Sequence, residues 1–224
     1  MEDLNTAVIV SARMGSTRLP QKAIKTLQDI EMLRFLFQRL KNSQLVKDFI
    51  FATTLSKEDE VLAEIADEEG FNIFCGSTDN LVSRYYQAAY DNNVDLICRV
   101  TGDCPFVNGE MIDYCLKKIS IANFDLATTK GNFPVGLDAE FFRTDTLKYF
   151  LEKDLLSLSQ KEHLTLYFYQ NKEKFRINNI LPLDDWTSDK SFTVDVKEDY
   201  DFAFKLAEKF EDPNFSITEL INKV

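Results

Sequence analysis

Four cations, Arg13, Arg18, Lys22 and Lys25, fall in a stretch that holds no acid between Asp3 and Asp29, in a chain whose formal charge is -11. They surround a polar loop with Gly15, Ser16 and Thr17, directly after the β-branched run Val8-Ile9-Val10. A Gly-containing turn after a strand can aim backbone N–H groups into a concave nest, and neighbouring cations then complete a seat for a polyphosphate. Arginine offers a planar fork to phosphate oxygens and lysine a compact charge, a mixture suited to a triphosphate whose charge moves during reaction. The plainer alternative is a solvated basic loop, since the pattern is neither the P-loop nor the dinucleotide fingerprint.

Two acids have the placement of metal ligands. Asp103 lies in Thr101-Gly102-Asp103-Cys104-Pro105, just past an apolar run, and a hard carboxylate there suits Mg²⁺, which takes one or two carboxylates and fills its other positions with water and phosphate. A turn aspartate bonded to its own backbone would look the same. Asp195 closes Phe192-Thr193-Val194-Asp195 and is equally placed to cap the next helix. Asp79, in Gly76-Ser77-Thr78-Asp79-Asn80, is either a ligand contact or a first-turn acid complementing a helix dipole. His163 is the single histidine; on an amphipathic helix it reads as a hydrogen-bonded structural residue or as part of a substrate site.

The elements that must carry these residues follow from periodicity. Leu33, Leu36, Phe37 and Leu40 stripe one helix; Phe49 to Thr53 is a strand. Ser56 and Asp59 have capping-box spacing before Val61, Leu62, Ile65 and Ala66, and Gly70 should end that helix. Phe71 to Cys75 is a strand, Leu81 to Ala89 a helix, Asp95 to Val100 a strand, Met111 to Ile119 a helix and Asp125 to Thr129 strand-like. Gly131, Pro134 and Gly136 break a loop before Leu137 to Phe142. Helices at Thr144 to Leu156 and Glu162 to Gln170 then precede strands at Phe175 to Leu181 and Ser191 to Val196, and two helical stripes end the chain, the second opened by a Ser216–Glu219 capping pattern. Strand–helix alternation predicts one α/β domain over 1–224, with a mostly parallel central sheet and helices on both faces. Ligands of such sheets bind at the carboxyl ends of the strands, where both the Arg13 loop and Asp103 belong.

Composition bounds the function. At 224 residues, 45% hydrophobic and 28% charged, the chain is an ordinary globular protein. The acidic balance argues against nonspecific nucleic-acid or anionic-membrane binding. No apolar run approaches a membrane span, and the acidic, polar Met1–Thr6 lacks a signal pattern, so a cytoplasmic protein is expected. Cys75, Cys98, Cys104 and Cys115 lack zinc or redox spacing and are expected to be buried thiols.

SARMGSTRLPQK resembles the nucleotide-binding signature of the cytidylyltransferases that activate acidic sugars, including the 3-deoxy-manno-octulosonate and acylneuraminate enzymes, and is most similar to the branch of spore-coat polysaccharide biosynthesis protein F. Gly102-Asp103-Cys104-Pro105 is similar to that family's metal-binding GD-x-P motif, and TVDVKEDYDF to the late motif carrying a second metal carboxylate. Gly136 to Glu140 and Lys161 to Thr165 are similar to its GLDVE and EHVT segments. Gln21, Val135, Leu166, Phe192, Val196 and Lys197 depart from the commoner residues; Val135 and Leu166 lie on the acceptor side.

The resemblance implies the nucleotide-diphospho-sugar transferase (GT-A-like) fold, with residues 130–179 contacting substrate and joining a homodimer. It implies CTP as one substrate and an acidic sugar as the other. Ala12, Arg13, Gly15, Ser16, Thr17, Arg18, Lys22, Thr78 and Asp79 would bind nucleotide; Arg84, Asp138, Glu140, Glu162 and His163 the acceptor; and Asp103 and Asp195 the Mg²⁺. Arg13, Lys22 and Asp103 would be catalytic. A sugar-phosphate or polyol-phosphate nucleotidyltransferase, a glycosyltransferase of the same fold and a noncatalytic nucleotide-binding protein stand as alternatives, although the Asp-x-Asp motif usual in such glycosyltransferases is missing around Asp103.

Overall fold

A computed structural model describes residues 4–119 and 123–224. Of the Met1–Thr6 stretch, only Leu4 to Thr6 lie among the described residues. Strands β1 (Thr6–Ser11), β4 (Asp48–Thr54), β5 (Asn72–Gly76), β6 (Leu96–Thr101), β7 (Leu126–Thr128), β8 (Glu140–Arg143) and β9 (Ile177–Asn179) build one sheet in the order β5-β4-β1-β6-β8-β7-β9. Strands β2 (Thr26–Leu27) and β3 (Ile30–Glu31) form a small separate hairpin. The pairs β5–β4, β4–β1 and β1–β6 are parallel, whereas β8 runs antiparallel between β6 and β7.

Strand β1 lies inside the sheet, between β4 and β6. Ala7, Val8, Ile9 and Val10 are all fully buried, as a strand covered on both faces demands. Because side chains alternate, Val8 and Val10 pack with helices α1 (Met32–Leu40), α2 (Glu60–Glu68), α4 (Gly109–Ile119), α8 (Lys197–Ala207) and α9 (Ile217–Asn222). Ala7 and Ile9 pack with α3 (Leu81–Asp91), α5 (Thr144–Glu152) and α7 (Leu166–Gln170), while α6 (Leu158–Glu162) contributes no buried side chain. Among the described residues, no helix is long and apolar enough to cross a membrane.

Four expectations need correction. Ser191 to Val196 is not a strand: Phe192 N–H donates to Val135 O at 2.6 Å and Val194 N–H to Asp103 O at 2.8 Å, so its partners are loops rather than a neighbouring strand. Glu162 to Gln170 is not one helix, because Leu164 and Thr165 turn inward and are buried, ending α6 at Glu162 and starting α7 after Thr165. The helix from Thr144 stops at Glu152, with Asp154 in the left-handed region at φ 46°. Cys75 is exposed on the edge strand β5, while the other three cysteines are buried.

Candidate active site

β1, β4, β5 and β6 run parallel and end on one edge, at Ser11, Thr54, Gly76 and Thr101. The loops leaving β1, β5 and β6 wall a cleft of about 380 Å³. The Gly15 loop supplies Ala12, Arg13, Gly15, Ser16, Thr17, Arg18 and Lys22 to its lining; the β5 side supplies Thr78 and Arg84; and Asp103, Asp195, Glu162 and His163 complete it. Asp79 is exposed outside this lining. Asp138 and Glu140 line a smaller adjoining pocket of about 120 Å³, whose wall shares Arg99, Thr101 and Asp103 with the cleft.

At the foot of the cleft the Lys22 ammonium lies 3.1 Å from Asp103 Oδ2, 3.0 Å from Asp195 Oδ1 and 3.0 Å from Val194 O. Arg18 adds a second cation 3.1 Å from Asp195 Oδ1. Burial alone would push the Asp103 carboxyl up, but the Lys22 charge and hydrogen bonds from Thr101 and Lys22 hold it below its ordinary value. Asp195 does not cap the next helix. Asp199 does so instead, its Oδ2 accepting from the Asp195 and Val196 N–H groups at 3.0 Å each. That frees the Asp195 carboxylate to face Lys22.

These residues fit Mg²⁺. Two hard carboxylates from distant parts of the chain already converge on one cation, the Lys22 ammonium. Among the described residues no group of three or more His, Cys, Asp or Glu side chains gathers as a closed cage. An ion held by two carboxylates with water and phosphate completing its shell matches that donor set.

On the rim, Arg13 Nη2 lies 3.7 Å from Glu162 Oε1, an exposed pair spanning the cleft. His163 ends α6 through its N–H to Ser159 O at 2.9 Å, and its exposed ring lines the cleft. Arg84, 5% exposed, donates Nη1 to Ser77 O at 3.1 Å while its buried Nε has no partner.

The adjoining pocket holds a charged knot around Glu140, whose partners Arg99, Lys130 and Tyr169 motif reading did not name. Arg99 Nη1 lies 2.5 Å from Glu140 Oε2, and Lys130 Nζ, Thr165 Oγ1 and Tyr169 Oη reach the same carboxylate at 3.3, 3.0 and 2.7 Å. Burial opposes the ionised Glu140, but Arg99 and Lys130 hold its carboxyl below the ordinary value. Burial pushes the Asp138 carboxyl up, against the Gly136 N–H that donates to it at 3.1 Å. The available signal for Arg99 was an arginine inside the apolar strand Leu-Ile-Cys-Arg-Val-Thr, immediately before the Asp103 motif. Asp59 was also missed. It forms no cap with Ser56; its carboxylate turns to the Arg13 loop.

The family described as Cytidylyltransferase matches residues 7–220. An uncharacterized protein of Methanocaldococcus jannaschii is 34% identical, over 96% of this chain and 88% of its own. Spore coat polysaccharide biosynthesis protein SpsF of Bacillus subtilis is 29% identical, over 95% of this chain and 91% of its own. The solved structure of a cytidylyltransferase from Leptospira borgpetersenii superposes with a TM-score of 0.90 at 31% identity, covering 98% of this chain and 93% of that one.

Proposed function

The chain belongs to the cytidylyltransferase family, and from that premise we propose that it transfers CMP from CTP to a hydroxyl of an acidic sugar or related acceptor, releasing pyrophosphate, in the synthesis of a surface polysaccharide or glycan. The observation that carries this reading is the convergence of Lys22, Asp103 and Asp195 at the foot of the Gly15 loop.

Gly15, Ser16 and Thr17, with Arg13 and Arg18, line the cleft beside that point and would hold the β- and γ-phosphates. The smaller pocket lies across the shared wall at Asp103 and would take the acceptor. Asp103 and Asp195 would hold Mg²⁺, which when bound supplies charge neutralisation on the phosphate oxygens and lowers the pKa of a coordinated hydroxyl. Arg13, Arg18 and Lys22 line the cleft and would stabilise the charge that builds on departing pyrophosphate. Holding acceptor and nucleotide in one geometry supplies the rest of the acceleration. We extend the proposal to a cytoplasmic homodimer joined through residues 130–179, where Tyr149 and Leu158 are large apolar side chains left 53% and 85% exposed; sedimentation velocity tests the dimer.

The test of function is pyrophosphate release with Mg²⁺, each of the four nucleoside triphosphates, and a panel of acidic sugars, neutral sugars, polyols and sugar phosphates. Release with CTP and an acidic sugar is expected. Release confined to another nucleotide, or to a sugar phosphate, overturns the assignment.

A further inference from the structure

Asp59 is a buried carboxylate, 3% exposed, that no part of the chemistry above uses. One of its oxygens accepts the Met14 N–H at 2.7 Å, across 45 residues of sequence, and the other accepts the Thr54 hydroxyl. Thr53, next to it at the end of β4, donates its hydroxyl to Ala12 O at 3.0 Å. The Ala12 carbonyl and the Met14 N–H belong to the two peptide units that flank Arg13. Both are therefore pinned from the β4–α2 side, which leaves the Arg13 side chain on the cleft lining, while the Ser16 N–H turns back to Met14 O at 2.8 Å. Asp59 also supplies negative charge beneath that cleft. Burial and the neighbouring Arg13 charge disfavour the charged form of Arg84, and Asp59 opposes them.

We propose that Asp59 is a positioning residue for the triphosphate, which bolts the Met14 peptide to the end of β4 and so sets the phosphate loop in its binding conformation. This rests on the nucleotidyltransferase reading above. Asp59→Ala deletes both hydrogen bonds, each of them made to a charged acceptor and so of the stronger kind. Asp59→Asn keeps them, its side-chain carbonyl accepting from the Met14 N–H while the Thr54 hydroxyl turns to accept from the amide.

The experiment is calorimetric titration of inorganic tripolyphosphate, CTP and cytidine into wild type, Asp59→Asn, Asp59→Ala and Thr53→Val, with steady-state kinetics on the same samples. Asp59→Ala should weaken tripolyphosphate and CTP by a common factor of about tenfold or more and raise KM for CTP more than it lowers kcat. Cytidine affinity should not move. Asp59→Asn should stay within about threefold of wild type. Thr53→Val, which loses only the Ala12 bond, should show a smaller weakening in the same direction and keeps the clamp testable if Asp59→Ala does not fold. A lower active fraction with unchanged KM and unchanged tripolyphosphate affinity in Asp59→Ala, or no change in Thr53→Val, overturns the proposal. So does Asp59→Asn behaving like Asp59→Ala, because it would make charge rather than the bond decisive. Wild type that binds neither CTP nor tripolyphosphate instead overturns the functional reading beneath it.

Discussion

Lys22 occupies the point between Asp103 and Asp195 where a divalent ion would be held, so ammonium and metal compete for the same carboxylates. Lys22→Met should therefore bind Mn²⁺ about tenfold more tightly than wild type in nucleotide-free protein, read by electron paramagnetic resonance, while its CTP turnover falls by about a hundredfold or more. Equal Mn²⁺ affinity in the two proteins would show that the lysine does not share the site. Glu140 illustrates the opposite case, an acid whose partners matter to stability. Removing one member of a buried pair costs about 3–5 kcal/mol, so Glu140→Ala should lower urea stability by that order, leaving Arg99 buried without its counter-charge. Its folded carboxyl lies below the ordinary glutamate value. Its contribution is therefore complete above that value and is lost as pH falls through the folded one. The difference between wild type and Glu140→Ala should be constant near neutrality and shrink in the acid range. Lys22, Asp103 and Asp195 were legible in the sequence because each sits in a short motif beside a strand end or helix start. Asp59 and Arg99 were not, because their partners, Met14 and Glu140, lie 45 and 41 residues away.

Among the elements, the segment around Asp195 departs furthest from the periodic reading. Its alternation looks like a strand, yet it is held through Val135 O and Asp103 O, two loop carbonyls that no local pattern could name. The close approach of Gly136 keeps it there. Gly136 has φ 88°, and a Cβ added to it would run into the Phe192–Thr193 peptide. Gly136→Ala must therefore shift that peptide, and Asp195 with it, away from Asp103. We expect destabilisation of about 1–3 kcal/mol from the backbone strain, with a loss of Mn²⁺ affinity larger than any loss of tripolyphosphate affinity. Equal losses would mean that the whole cleft had loosened. The split of the expected Glu162–Gln170 helix has a similar origin. Helical spacing continues through His163, but burying Leu164 and Thr165 turns the chain inward and leaves Glu162 and His163 on the cleft.

Across the whole molecule, the parallel half of the sheet was legible because each strand–helix unit is local, a short apolar run followed by a helical stripe of period 3.6. The antiparallel β8 was not. It inserts between β6 and β7 and pairs Glu140 with Arg99, a long-range register that sets the charged knot beside the cleft. The opposite face of the sheet depends on another long-range arrangement. Arg39 on α1 is fully buried, donating to Phe106 O at 3.3 and 3.0 Å, to Phe215 O at 3.1 Å and to Pro213 O, with its guanidinium 3.9 Å from the Phe215 ring centroid. It thereby ties the loop after Asp103 to the segment that leads into α9. Replacement by methionine keeps much of the volume but leaves the buried Phe106 and Phe215 carbonyls, and the partly buried Pro213 carbonyl, without the Arg39 donor, each buried one costing about 1–3 kcal/mol. Arg39→Met should therefore be among the most destabilising single changes away from the cleft, by about 3 kcal/mol or more, measured by urea unfolding. Because Arg39 does not line the cleft, tripolyphosphate affinity should stay within about twofold where the variant is folded. A large loss of phosphate affinity at full folding would show that the C-terminal segment and the Asp103 loop move as one unit, coupling the stability of the far face to the site.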